Sequence, residues 1–229
     1  MDTRTSPTPT TTTDGLLPLL WLASPALPVG GFSYSEGLEA AVDAGLVTNE
    51  AQAAEWLSQQ LHLALARADL VVVRRAVIAW RENDGQAVRD CNGWILRTRE
   101  TSEMRLQTEQ MGRSLVEWLK SVRPEVASRA SFPLTYPVAW SLAAAGFDLD
   151  TRDALHAFAF GWAENMAQAA VRVVPLGQSS GQRIVSRLAQ EIPAAVAGAF
   201  ACEEPQAFSP MLAILSSRHE TQYSRLFRS

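Results

Sequence analysis

The chain has 229 residues, of which 47% are hydrophobic and 19% charged, with a formal net charge of −4. That is enough for one generous domain or two small ones, and it provides no overall basic field to hold nucleic acid or an anionic membrane. Lys120 is the only lysine among twenty basic side chains, the rest being arginine. It stands in Trp118-Leu119-Lys120-Ser121, a helix end, which argues against a Walker-type nucleotide loop or a pyridoxal Schiff base. Cys91 and Cys202 each stand alone, a usage that fits a reducing, cytoplasmic setting. The longest apolar stretch is interrupted by Arg67, Asp69 and Arg74, so no membrane span is expected.

Residues 1–14 are rich in Thr and Pro and predict a disordered tail. Leu16 to Leu22 reads as a short helix stopped by Ser24-Pro25, and Pro28 to Gly31 as a tight turn. Ser33 and Glu36 stand in capping-box register for a new helix, Gly45 suits its end, and Asn49 caps the next, which runs toward Trp80. The longest helix is expected within residues 86–121. There Cys91, Trp94, Thr98, Thr101, Met104, Thr108, Met111, Leu115 and Trp118 recur at helical steps, opposite i,i+4 pairs of Arg and Glu. The three threonines read either as satisfied core residues or as a polar seam.

Pro124 and the run Phe132 to Pro137 mark a subdomain boundary before a helix ending at Gly146. Asp150 caps a helix carrying Ala154, Phe158, Trp162, Asn165, Ala169 and Val173 on one stripe and ending at Pro175. Two further helices, at 178–190 and 193–201, precede one opened by Ser209-Pro210. The expected fold is all-α, a single-domain bundle of about eight to ten helices over residues 15–215, with residues 216–229 as a C-terminal docking segment.

His62, His156 and His219 form no paired metal motif, and no constellation of catalytic residues stands out. Cys91 with His156 is the one thinkable nucleophile and base or metal-carrier pair. Gly177-Gln178-Ser179-Ser180-Gly181-Gln182-Arg183 reads either as an anion cradle at a helix start or as a helix stop and restart. The segment Ser217 to Ser229 is more informative. Ser217 and Glu220 again stand in capping-box register, Tyr223, Leu226 and Phe227 fall at helical steps beside three arginines, and so few apolar residues gain little by folding alone. It reads as a segment that orders on a partner or as a frayed end.

Four stretches taken together resemble the UreF family of urease accessory proteins. They are Leu22 to Glu39, Thr98 to Thr101, Val173 to Gln178, and Arg218 to Ser229. The resemblance implies an all-α, dimeric, non-enzymatic maturation factor without a cofactor or metal ligands of its own. Such a protein would bind the accessory protein UreD (UreH in some species), recruit the GTPase UreG, and regulate GTP-dependent nickel delivery to apo-urease. By the same resemblance Arg218, His219, Glu220, Tyr223, Arg225, Leu226, Phe227 and Arg228 would face UreD/UreH. Glu39, Arg172, Gln178 and Gln182 would lie on the UreG side.

Overall fold

The structure, a computed structural model, describes residues 13–229, with side chains from residue 15 onward. Of the predicted disordered tail, residues 1–12 lie outside this range, while Thr13 and Asp14 already belong to the first helix. The described residues form eleven α-helices and no strand. The helices are α1 (Thr13–Ala23), α2 (Leu38–Asp43), α3 (Glu50–Gln60), α4 (Asp69–Glu82), α5 (Gly85–Thr98), α6 (Ser102–Val122), α7 (Pro124–Ala127), α8 (Tyr136–Gly146), α9 (Thr151–Val173), α10 (Gln178–Ala201) and α11 (Pro210–Glu220).

Helix α9 lies at the centre, against α1, α4 and α10. Its buried face is built from Ala154, Ala159, Ala163, Ala167 and Ala170, with Phe158 and Met166 between them. Small residues bring helix axes close, so the backbone of one helix touches the side chains of the next. A second layer packs α8 between α4 and α6, where Trp140 is wholly buried and Trp80 donates its indole N–H to the Val138 carbonyl at 3.1 Å. Gly112 of α6 lets the chain at Leu134 and Thr135 cross it directly. A Cβ there would lie 2.7 Å from the Thr135 carbonyl carbon and closer still to the Leu134 carbonyl oxygen. Asn92 ties this crossing down, donating to Pro133 O at 3.2 Å and accepting from Thr135 N–H at 2.7 Å.

Caps at Asn49 and Asp150 form as predicted: Asn49 accepts from Gln52 N–H and Asp150 from Arg152 and Asp153 N–H. Four helix boundaries differ. The helix that Asn49 caps does not run on to Trp80: it ends after Leu65, and α4 starts afresh at Asp69 once Ala68 has left the helical conformation. The long helix expected within 86–121 is two, because Arg99 turns out of the helix to pair with Asp69 and Thr101 then caps α6 by accepting from Met104 N–H at 3.3 Å. The two helices expected at 178–190 and 193–201 are one, α10, which runs through Pro193. That proline is exposed, where the lost N–H is least costly. The capping box at Ser33 and Glu36 does not form: Glu36 is left-handed (φ 49) and α2 begins only after Gly37 (φ 80).

Candidate docking site

Gly37 starts α2 so that Glu39 falls in its first turn, pointing inward and 7% exposed. Its carboxylate grips the C-terminal segment by the backbone. Oε1 accepts the Leu226 N–H at 2.7 Å and Oε2 the Phe227 N–H at 2.9 Å. Hydrogen bonds to an ionised acceptor are about twice as strong as neutral ones. Nε2 of His219, in the last turn of α11, lies 3.2 Å from Glu39 Oε2, while Nδ1 lies 2.7 Å from Oε2 of Glu103 in the first turn of α6. Glu103 also accepts from Arg225.

The end of the segment is held as firmly. Ser35 donates both its N–H and its hydroxyl to Ser229 O, each at 2.7 Å, and Arg228 N–H donates to Ser33 O at 2.9 Å. Phe227 is buried beneath the Arg172 guanidinium, which stands 6.0 Å from its ring centre. Glu220 accepts from the Ser102 hydroxyl and from Glu103 N–H at 3.2 Å, so its carboxylate stands at the start of α6, where a negative charge is favoured. The Ser102 hydroxyl holds Glu220 below the usual carboxylate range.

Behind the segment the hydrogen bonds continue inward. The Ser229 hydroxyl donates to Gln107 at 2.7 Å, Gln107 donates to Glu36 at 2.8 Å, and the Trp162 indole donates to the other Glu36 oxygen at 2.9 Å. Glu36 borders a small, partly open pocket shared with Asp69, Arg99, Thr108, Tyr136 and Asn165. Burial pushes the Glu36 carboxyl up, against the pull of its Trp162 and Gln107 donors. Asp69 and Arg99 pair at 2.5 Å. Burial disfavours the Arg99 charge, but Asp69 outweighs it and raises the guanidinium pKa. Among the described residues no cluster of three or more His, Cys, Asp or Glu is placed to hold a metal ion.

The segment expected to order on a partner is therefore already packed against this chain's own body, and it is not helical beyond Glu220. Ser217 and Glu220 do not begin a helix there; they lie within the last turns of α11. His219, Glu220 and Phe227 face inward and do the holding, whereas Arg218, Tyr223, Leu226 and Arg228 are exposed. Glu39 and Arg172, expected on a separate face, belong to this cluster. Gln178 and Gln182 are exposed in the first turns of α10. Arg183 is engaged by Glu50 at 2.7 and 2.6 Å, which holds Glu50 at about 2, so the preceding loop reads as a helix restart, with Gly177 as its cap.

The threonine seam resolves into satisfied groups. Thr98 donates to Trp94 O, Thr101 caps α6 and shares a bond with Ser216 at 2.7 Å, and Thr108 accepts from Tyr136 N–H. Burial raises the Cys91 thiol and lowers His156, which keeps the first a thiol and the second neutral, the opposite of an activated pair. Ser35, Glu103 and Gln107 escaped the sequence reading, because their partners lie 194, 116 and 71 residues away and no local pattern announces them.

A family model described as UreF matches residues 47–189. The urease accessory protein UreF of Paracidovorax citrulli (strain AAC00-1) is 62% identical over 223 residues, covering 93% of this chain and 89% of that one. The protein of the same name from Polaromonas sp. (strain JS666 / ATCC BAA-500) is 60% identical, covering 93% and 94%, and that of Ralstonia pickettii (strain 12J) 48% identical, covering 93% and 97%. With the motif-bearing N-terminal and C-terminal stretches folded onto one another and relatives alike over nearly their whole length, this chain belongs to the UreF family of urease accessory proteins.

Proposed function

We propose that this chain is a urease maturation factor that acts in the cytoplasm by docking other proteins. It bridges a UreD/UreH-type accessory protein and a UreG-type GTPase, and so regulates GTP-dependent delivery of nickel, as cargo, to apo-urease. It acts as a homodimer and catalyses no reaction of its own. The observation that carries this reading is the terminal segment: its backbone and inward side chains are clamped, while Tyr223 and Leu226 project 105% and 73% exposed. A leucine displayed on a braced backbone loses little freedom on binding, and the large aromatic beside it adds contact area, which is what interface anchors require.

On this reading Arg218, Tyr223, Leu226 and Arg228 meet the UreD/UreH-type partner, with His219, Glu220, Arg225 and Phe227 presenting them. Glu39 is occupied by the segment itself, so its part is to position that surface. The GTPase side is left to Arg172, Gln178 and Gln182. Arg172 joins the two surfaces through its contact with Phe227.

The test is co-purification with both partners of the native chain and of the double variant Tyr223→Ala/Leu226→Ala. Loss of two exposed anchors should weaken UreD/UreH capture by about tenfold or more while thermal unfolding is unchanged. Undiminished capture by the double variant removes the segment from the interface. Light scattering of the isolated chain reports whether it is a dimer.

A further inference from the structure

His219 is wholly buried, and each of its ring nitrogens faces a carboxylate oxygen: Nε2 that of Glu39 on α2 and Nδ1 that of Glu103 on α6. A neutral imidazole has one donor nitrogen and one acceptor. In that form one of these two contacts would set a lone pair against a carboxylate. Only the doubly protonated ring donates to both. The local charges agree, because Glu39 and Glu103 are the two anions of the cluster and Arg225, on the terminal segment, supplies one cation. Arg225 is exposed, so a positive charge on His219 is the one that lies buried between the two carboxylates. On the histidine's own helix, Arg218 is exposed and Glu220 is turned to Ser102 and the start of α6.

We propose that His219 is a proton-operated latch: as an imidazolium it clamps Glu39 and Glu103 together, and when it loses a proton residues 221–229 are released from the body. The route is short. Glu39, the residue that accepts the Leu226 and Phe227 N–H groups, is the same residue that His219 faces. Without the imidazolium, Glu39 and Glu103 repel across a buried site, and lifting the segment relieves their like charge by admitting water. Lifting also frees Ser35 and Gln107 from Ser229 and breaks the chain of hydrogen bonds that ends at Glu36. The docked segment is thus the protonated state of the clamp, and the surface proposed above to meet partners is assembled only in that state. The inference concerns the isolated chain, so its failure would leave the partner assignment standing.

Hydrogen exchange at the Leu226 and Phe227 amides, expressed as protection relative to the unstructured rate, reads the latch between about pH 6 and pH 9 in the full-length protein. Protection should fall by about tenfold or more as the pH rises, while core amides of α9 hold theirs. Glu103→Gln, which removes one of the two repelling carboxylates and offers the bare ring nitrogen a donor, should flatten the pH dependence. His219→Gln should leave the segment unprotected across the whole range. Should that variant fail to fold, histidine-labelled nitrogen spectra of the native chain decide the question: with only His62 and His156 besides it, His219 should show two protonated ring nitrogens while the segment is docked. A bare ring nitrogen in the docked state, or protection that does not change with pH, overturns the proposal.

Discussion

A carboxylate that accepts two successive backbone N–H groups acts as a cap for a stretch of chain that is not a helix, and Glu39 does this for Leu226 and Phe227. The amide of Glu39→Gln has one acceptor oxygen and would turn an NH2 toward one of those N–H groups. The substitution should cost the docked segment about 2 kcal/mol, read as lost exchange protection at 226 and 227 with little change in global melting. Glu220 adds a second pH signature. Its carboxyl is held below its usual value by Ser102, so it contributes to stability above the ordinary carboxylate value of 4.5, and that contribution is lost as pH falls through its depressed folded value. An acid titration of the α6 N-terminal amides should show this loss in the native chain and not in Glu220→Gln. At this scale the sequence singled out residues without saying what they touch. His219, Glu39 and Phe227 stand in the motifs, yet their inward orientation depends on contacts across 180 and more residues, which local spacing does not carry.

At the scale of helices, the arginine-rich composition finds a structural use. Arg74 donates to Phe200 O and Cys202 O at the end of α10, each at 2.9 Å, Arg123 to Gly146 O at 3.0 Å at the end of α8, and Arg129 to Trp80 O near the end of α4. The last carbonyls of a helix have no partners within it, and a planar guanidinium spans two of them where an ammonium reaches one. Arg74→Lys should therefore lower stability by about 1 kcal/mol, although charge is kept, measured as a fall in the denaturant midpoint. Gly112→Ala should cost more, about 1–3 kcal/mol, because the α6 surface and the 134–135 crossing would have to separate. Helix type was plain from periodicity, and caps such as Asn49 and Asp150 fixed their starts. The break between α5 and α6 was not visible, since the stripe continues through Thr98 and Thr101 and only the buried Asp69 draws Arg99 out of the helix. Pro193 misled in the other direction, because a proline on an exposed face bends or weakens a helix without ending it.

For the whole molecule, the body and the terminal segment differ in how they are held. The body rests on apolar packing around α9, whereas residues 221–229 bury one large apolar side chain, Phe227, and otherwise depend on hydrogen bonds and ion pairs. Removing residues 221–229 should thus leave a folded body whose melting temperature falls by no more than a few degrees, on the order of 2–4 °C per kcal/mol for a chain of this size. The same truncation should abolish capture of the UreD/UreH-type partner. Because Glu39, Ser33 and Ser35 recognise the segment through its backbone N–H and C=O groups, the clamp is indifferent to the side chains displayed at 223 and 226. Partner choice and latch strength can then be altered separately: almost any residue at 226 keeps the hold, and proline, which lacks the N–H that Glu39 accepts, is the exception.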